Sequence, residues 1–273
     1  MISDNAQAVV DDLGFLAFVW DAERDPMGWG RPDCVAAMCD AGILRAPSEP
    51  FEPYRMRPGC FSGSALGHPL QDLARQWHQA GMLPAWRDEA FDIYSPGHRL
   101  PRFALERVAA RHLGLWTEAV HMNVVLRDGS AMWLARRAAH KDTDPGMLDN
   151  LVAGGVSHGE DPWQTLLRES WEEAGLQLAT SSASPAPFGV SKEFRPVPVR
   201  TVQILALEGT PEQPYLRRER LYAFQLEVDP DFRPANQDGE VSEHLLVDRR
   251  QLAAAIREGQ LTKDAARIAR LWL

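Results

Sequence analysis

Between Gly154 and Leu176 the chain reads GGVSHGEDPWQTLLRESWEEAGL, and no other stretch constrains the fold as tightly. It is a glycine turn followed by a helix whose two ends are both written in the sequence. Asp161 can accept a backbone N–H at the N-cap, Pro162 tolerates the first helical position, and Gln164 stands where the partner of a capping box belongs. Gly175 is the natural stop. Between these ends Leu167, Ser170, Trp171 and Ala174 recur at three- and four-residue steps and should form one face. Thr165, Glu169, Glu172, Glu173 and Leu176 should form another.

Glu169 and Glu173 lie one turn apart with Glu172 beside them, and like charges at this spacing destabilise a helix. Arg168 can relieve part of the repulsion. Hard oxygen donors converging on one spot also suit Mg²⁺ or Mn²⁺, whose remaining positions go to water and phosphate. Ser170 falls on the core-facing side, where its hydroxyl can bond back to the Leu166 carbonyl.

The chain has 273 residues, 45% of them hydrophobic, which predicts two domains with ordinary packed cores. No apolar run reaches the roughly eighteen residues of a membrane span, and MISDNAQAVVDD lacks the basic start of a secretory signal, so a cytoplasmic protein is expected. Cys34, Cys39 and Cys60 form an odd set without metal or redox spacing and are read as reduced, small buried side chains. The net charge of −9 argues against broad contact with nucleic-acid backbones. A small anionic substrate must then be captured locally, and Arg136, Arg137, His140 and Lys141, just upstream of the acidic helix, are the nearest cations.

Along the chain, residues 62–86 read as a helix with Leu70, Leu73, Ala74, Trp77 and Ala80 on one face, ended by Gly81. A strand, EAFDIY, follows. Pro101 to Leu113 shows helical spacing and is stopped by Gly114. Strands at Ala119–Leu126 and Met132–Arg136 flank the turn Arg127-Asp128-Gly129-Ser130, a hairpin signal. After the acidic helix come a loop, TSSASPAPFG, strands in VRTVQILAL, RLYAFQLEV and VSEHLLV, and helices over Arg249–Glu258 and Thr262–Trp272.

The register of Gly154, Glu160, Arg168, Glu169, Glu172, Glu173 and Gly175 resembles the Nudix box. The stretch from Trp86 to Asp248, including LERVAARHLGL, MWLARR, HKDTDPGMLDNLVAGG and DFRPANQDGEV, is similar to the Nudix branch related to the domain joined to thiamine pyrophosphokinase in some fungi. The resemblance implies an α/β fold, a Nudix α/β/α sandwich with a mixed sheet over 116–273, preceded by a smaller α+β domain over 1–115. It implies a Mg²⁺ (or Mn²⁺) site on Glu169, Glu172, Glu173 and the carbonyl of Gly154. Arg168 would orient Glu169, with Glu160 behind it. A box glutamate such as Glu169 or Glu173, or else Glu240 in DGEV, would be the base, Glu240 (with Glu219 behind it) being base or extra metal ligand, and Arg136, Arg137 and Lys141 would bind the substrate's phosphates. The expected reaction is attack of water at phosphorus on a small diphosphate, thiamine diphosphate or its oxo and oxy forms, giving the monophosphate. A nucleoside diphosphate derivative such as ADP-ribose or a dinucleotide is the alternative. A non-catalytic sensing module should have lost box carboxylates, and an isoprenoid diphosphate isomerase should carry a cysteine after Cys60. Neither nucleic acid nor membrane is an expected partner; a homodimer is.

Overall fold

The helix ends written in the sequence recur in the computed structural model, which describes residues 13–49, 52–83, 86–141, 143–179 and 194–273. The expectations for MISDNAQAVVDD and TSSASPAPFG lie outside the described residues. The chain divides into two compact units that do not follow a single cut: residues 1–118, 157–159 and 203–220 form the first, and 119–156, 160–202 and 221–273 the second. Among the described residues no helix is long and apolar enough to cross a membrane.

In the first unit, β1 (Leu16–Trp20) lies between β2 (Gly28–Gly30) and β4 (Tyr54–Met56), and β3 (Leu44–Arg45) pairs β4 on its other side. The β1–β4 pair is parallel, with Phe18 opposite Tyr54 and Trp20 opposite Met56. Helix α1 (Pro32–Asp40) starts on Pro32 and supplies the crossover chain that a parallel pair requires. Helix α2 (Pro69–Gln79) is shorter than the sequence spacing suggests and starts on His68, whose ring accepts the Gln71 N–H. The run from Pro101 to Leu113 is a correction. Phe103–Glu106 is a strand, β6, paired antiparallel with β5 (Ala90–Ile93), and only Arg107–His112 is helical (α3). All four β6 residues are buried. A run apolar on both faces carries no periodicity to separate strand from helix, so pairing with β5 decided. Phe18, Met27, Met38, Phe91, Leu105 and Leu113 anchor this unit's core.

Arg218, also in the first unit, is buried with no carboxylate partner among the described residues. Its guanidinium lies between the rings of Trp29 and Trp116, at 4.4 and 4.5 Å from their centroids, and donates to the carbonyls of Met27 and Gly114. Burial pulls its pKa down to about 9. Two aromatic faces and two carbonyl dipoles replace the missing counter-ion.

The second unit contains the acidic helix. A seven-stranded sheet runs in the order β11 (Val197–Gly209), β12 (Pro214–Val228), β7 (Trp116–Leu126), β8 (Ala131–Arg137), β13 (Val241–Asp248). Strand β9 (Leu148–Asn150) pairs β8, and β10 (Val152–Gly155) pairs β7, both antiparallel. The β7–β8 hairpin turns where Asp128-Gly129 predicts it, and Asp128 accepts from the backbone and hydroxyl of Ser130. Two cores cover the part of this sheet that lies in the second unit. Val120, Val124 and Trp133 pack with Leu166 of α4 (Pro162–Ala174) on one face. Val125, Met132 and Leu134 pack with Leu252 of α5 (Arg249–Arg257) and Ala265 of α6 (Lys263–Ala269) on the other. This is the α/β/α layering expected, with alternating side chains of β8 serving alternate layers.

Candidate active site

Helix α4 is built as its sequence dictates. Asp161 accepts from the backbone N–H of Trp163 and Gln164, both at 2.8 Å, and Gln164 accepts the Asp161 N–H in return. At the other end Gly175 has φ +63°, and the Gly175 and Leu176 N–H groups close on Trp171 and Ser170 carbonyls. Two expectations about its faces are corrected. Trp171 is 45% exposed, and Leu166 joins Ser170 and Ala174 in the stripe that meets the core, with Leu167 half-buried against it. Among the described residues the Ser170 hydroxyl finds no hydrogen-bond partner, instead of bonding back to Leu166.

The box carboxylates come together around Arg168. Its Nε and Nη2 donate to the two oxygens of Glu160 at 2.9 and 3.0 Å, while Nη1 donates to Glu169 at 2.7 Å and Glu172 at 3.0 Å. Thr165 Oγ1 donates to Glu160 as well. The Glu160 hydrogen bonds hold the guanidinium charged far beyond any working pH. Burial pushes the Glu169 carboxyl up to about 7, against the pull of Arg168. Glu173 is also pushed well up, first by burial and then by the charge of Glu169, although the Ala153 N–H donates to its Oε2 at 2.8 Å. Gly154, on β10, faces this cluster so closely that a Cβ there would stand 2.0 Å from Glu169 Oε1. The glycine exists because the Glu169 carboxylate occupies the volume a side chain would need.

Among the described residues no three His, Cys, Asp or Glu side chains close on one point, and Arg168 spans the gap between Glu169 and Glu172. The donor set still fits a hard divalent ion. It consists of carboxylates held close enough to repel, two of them buried, which is the electrostatic condition that a cation relieves.

The other predicted residues separate. Lys141 pairs with Glu240, and the Ala138 N–H donates to the Glu240 carbonyl at 2.9 Å, so the turns after β8 and before β13 are tied together. Both reach the box electrostatically: the charge of Glu240 raises the Glu169 pKa, and Lys141 opposes the rise at Glu173. Arg137 is held by Asp149 Oδ2 and the Thr143 carbonyl, each at 3.0 Å. Arg136 is not brought in. It follows Met132 and Leu134 on the α5–α6 face of β8, and it pairs with Glu243 and the Gly146 carbonyl at the surface. Glu219 serves the first unit, buried between Thr117, Arg111 and Arg217.

Several residues at this site escape the sequence reading. Asp149 is 7% exposed, and next to it Asn150 accepts from His121 Nδ1 at 2.9 Å and donates to Asn123. His244 donates from Nε2 to the Glu173 carbonyl, and burial lowers its pKa. The only sequence signal was a polar Asp-Asn pair inside the apolar run MLDNLV.

A model of the NUDIX domain matches residues 117–270, more than half of the chain. The chain belongs to the NUDIX domain family. It is 36% identical over 197 residues to Nudix hydrolase 20, chloroplastic, of Arabidopsis thaliana, covering 71% of this chain and 48% of that protein. Nudix hydrolase 24, chloroplastic, of the same plant is 32% identical over 204 residues, 74% of this chain and 50% of the relative. The chain thus spans about half the length of these curated relatives. Among solved structures, DR0079 from Deinococcus radiodurans superposes with a TM-score of 0.50 at 21% identity, over 67% of this chain and 98% of that one, a likeness of Nudix fold. The matched span runs from the second residue of β7 through α6, and includes every box residue as well as Arg137, Asp149 and Glu240.

Proposed function

We propose that this Nudix protein is a Mg²⁺- or Mn²⁺-dependent hydrolase of small diphosphates, and that its substrate is thiamine diphosphate or an oxo or oxy form of it, converted to the monophosphate. The observation that carries the hydrolase reading is the knot of Glu160, Glu169 and Glu172 around Arg168, with the buried Glu173 raised by the charge of Glu169 and Gly154 pressed onto Glu169. The thiamine class is supported by the resemblance of Trp86 to Asp248 to the branch described above.

Glu169, Glu172, Glu173 and the Gly154 carbonyl would hold the ion. When bound, it would neutralise diphosphate oxygens and lower the pKa of a water. Arg168 orients Glu169 and is itself held by Glu160. Lys141 and Arg137 neutralise the distal phosphate, a task for which fixed cations need little reorganisation. Glu240 takes the proton of the attacking water, an oxygen–phosphorus bond forms, and the bridging oxygen leaves with the organic monophosphate while inorganic phosphate is released. Arg136 has no part in this.

The test is incubation of the protein and its Glu173→Gln variant with Mg²⁺ and a panel of thiamine diphosphate, its oxo and oxy forms, ADP-ribose and dinucleotides, with products identified by mass. Thiamine monophosphate species from the wild type alone are expected. Cleavage of nucleotides only would replace the substrate class by nucleoside diphosphate derivatives. Equal turnover by Glu173→Gln would overturn the roles given to the box.

A further inference from the structure

A buried carboxylate next to an anionic site raises the repulsion there unless it has another task. Asp149, on β9, is such a group: burial pushes its pKa up, and its charge raises that of Glu173 in turn. Its Oδ1 accepts the Asn150 N–H at 2.9 Å and lies 3.9 Å from His121 Nδ1. Its Oδ2 accepts from Arg137 Nη1 at 3.0 Å. Arg137 is gripped a second time where Nε donates to the Thr143 carbonyl at 3.0 Å. The guanidinium is thereby fixed along two edges, while among the described residues Nη2 donates to nothing and is not sealed from solvent. Five donors in a rigid fork allow this division, two used for anchoring and a free edge left for an oxyanion.

We infer that Asp149 is a positioning residue that aims the free edge of Arg137 at the terminal phosphate of the substrate. The inference rests on the diphosphate reading above and adds the group that sets the geometry of phosphate capture. It also accounts for a carboxylate in a place where electrostatics alone opposes one, and for its neighbour Asn150, which with His121 and Asn123 forms a buried polar base under β9.

The test is a cycle of Arg137→Ala, Asp149→Asn and the double variant. KM and kcat are read on the diphosphate that the wild type hydrolyses, and calorimetry gives the Kd of imidodiphosphate with Mg²⁺. Arg137→Ala should raise KM and Kd roughly tenfold, the size of one charge-assisted hydrogen bond. Asp149→Asn should raise both roughly three- to tenfold with kcat within about twofold, because the phosphate cation stays but loses its aim. The double variant should be no worse than Arg137→Ala alone. Multiplying effects, or an unmoved Kd in D149N, overturn the inference. If D149N does not fold, Arg137→Lys substitutes for it. An ammonium keeps the charge but cannot be gripped at Asp149 and Thr143 together, so a wild-type Kd in that variant also overturns the inference. A wild type that hydrolyses no diphosphate, yet binds imidodiphosphate with this mutational pattern, removes the hydrolase reading alone. Hydrolysis with an unmoved D149N Kd removes only the role of Asp149.

Discussion

Replacing Gly154 by alanine puts a methyl group where the Glu169 carboxylate now lies. The new Cβ would stand 2.0 Å from Oε1, 2.1 Å from Cδ and 2.5 Å from Cγ of Glu169. Ordinary contact begins at 3.4 Å, so the carboxylate must retreat by about 1.4 Å. That retreat breaks the 2.7 Å bond from Arg168 Nη1. A hydrogen bond to a charged group contributes about 1.5–3 kcal/mol, and the alanine returns about 0.4–1 kcal/mol by restricting the unfolded chain. A net loss of about 1–2 kcal/mol follows, or about 3–6 °C in Tm. Catalysis should suffer far more, because a displacement near 1 Å in a catalytic constellation can cost roughly a hundredfold. Thermal unfolding, Mn²⁺ titration followed by electron paramagnetic resonance, and kcat on the preferred diphosphate measure the three quantities. The expected pattern is a small Tm loss, roughly tenfold weaker Mn²⁺ binding and a kcat reduced roughly a hundredfold. A folded Gly154→Ala protein with wild-type Mn²⁺ affinity and kcat would refute the reasoning, since the close approach would then have no bearing on the metal site.

Ser170→Ala removes a buried hydroxyl that has no partner and substitutes a better helix former, so Tm should rise by about 2–4 °C with kcat unchanged; a fall in Tm would show that the hydroxyl is satisfied. His68 caps α2 through Nδ1 while its Nε2–H donates to the Ala104 carbonyl at 2.8 Å, which requires the neutral ring. Burial lowers its pKa below the ordinary 6.5, so its contribution is complete above 6.5 and is lost as pH falls from there through the lowered folded-state value. His68→Asn keeps an acceptor at the cap and should flatten that part of the stability–pH curve; parallel curves for the two proteins would exclude His68 as the source. Arg136→Ala removes only surface contacts with Glu243 and the Gly146 carbonyl and should leave KM within about twofold and stability within about 1 kcal/mol, whereas a KM rise equal to that of Arg137→Ala would return Arg136 to the site.

The chemistry of the box was legible because it is local. Cap, stop and the carboxylates of α4 all lie within one helix, where three- and four-residue spacing fixes which groups meet. The same reasoning placed the β7–β8 hairpin and the strands and helices that follow α4. It failed where spacing is ambiguous or partners are remote. Phe103–Glu106 became a strand because β5 pairs with it, and the four-stranded sheet of the first unit, with its parallel pair, carries no short-range signal. On α4 Ser170 and Ala174 meet the core as their spacing implies, but Leu166 joins them and Trp171 stays in solvent, a choice made by the packing of the sheet beneath.

The amino-acid sequence by itself determined the family, the acidic helix and the demand for a cation, since each depends on residues a few positions apart. Tertiary structure decided which charged groups lie together. Adjacent residues on a strand point to opposite faces, so Arg137 was turned toward Asp149 and Arg136 away from it, a distinction that no reading of the Arg-Arg pair alone contains. Glu240 is paired with Lys141, which lies far from it in sequence, and Glu219 with Arg111 and Arg217. Such choices depend on which strands pair and in what register, and that is settled only when both cores of the sheet are packed.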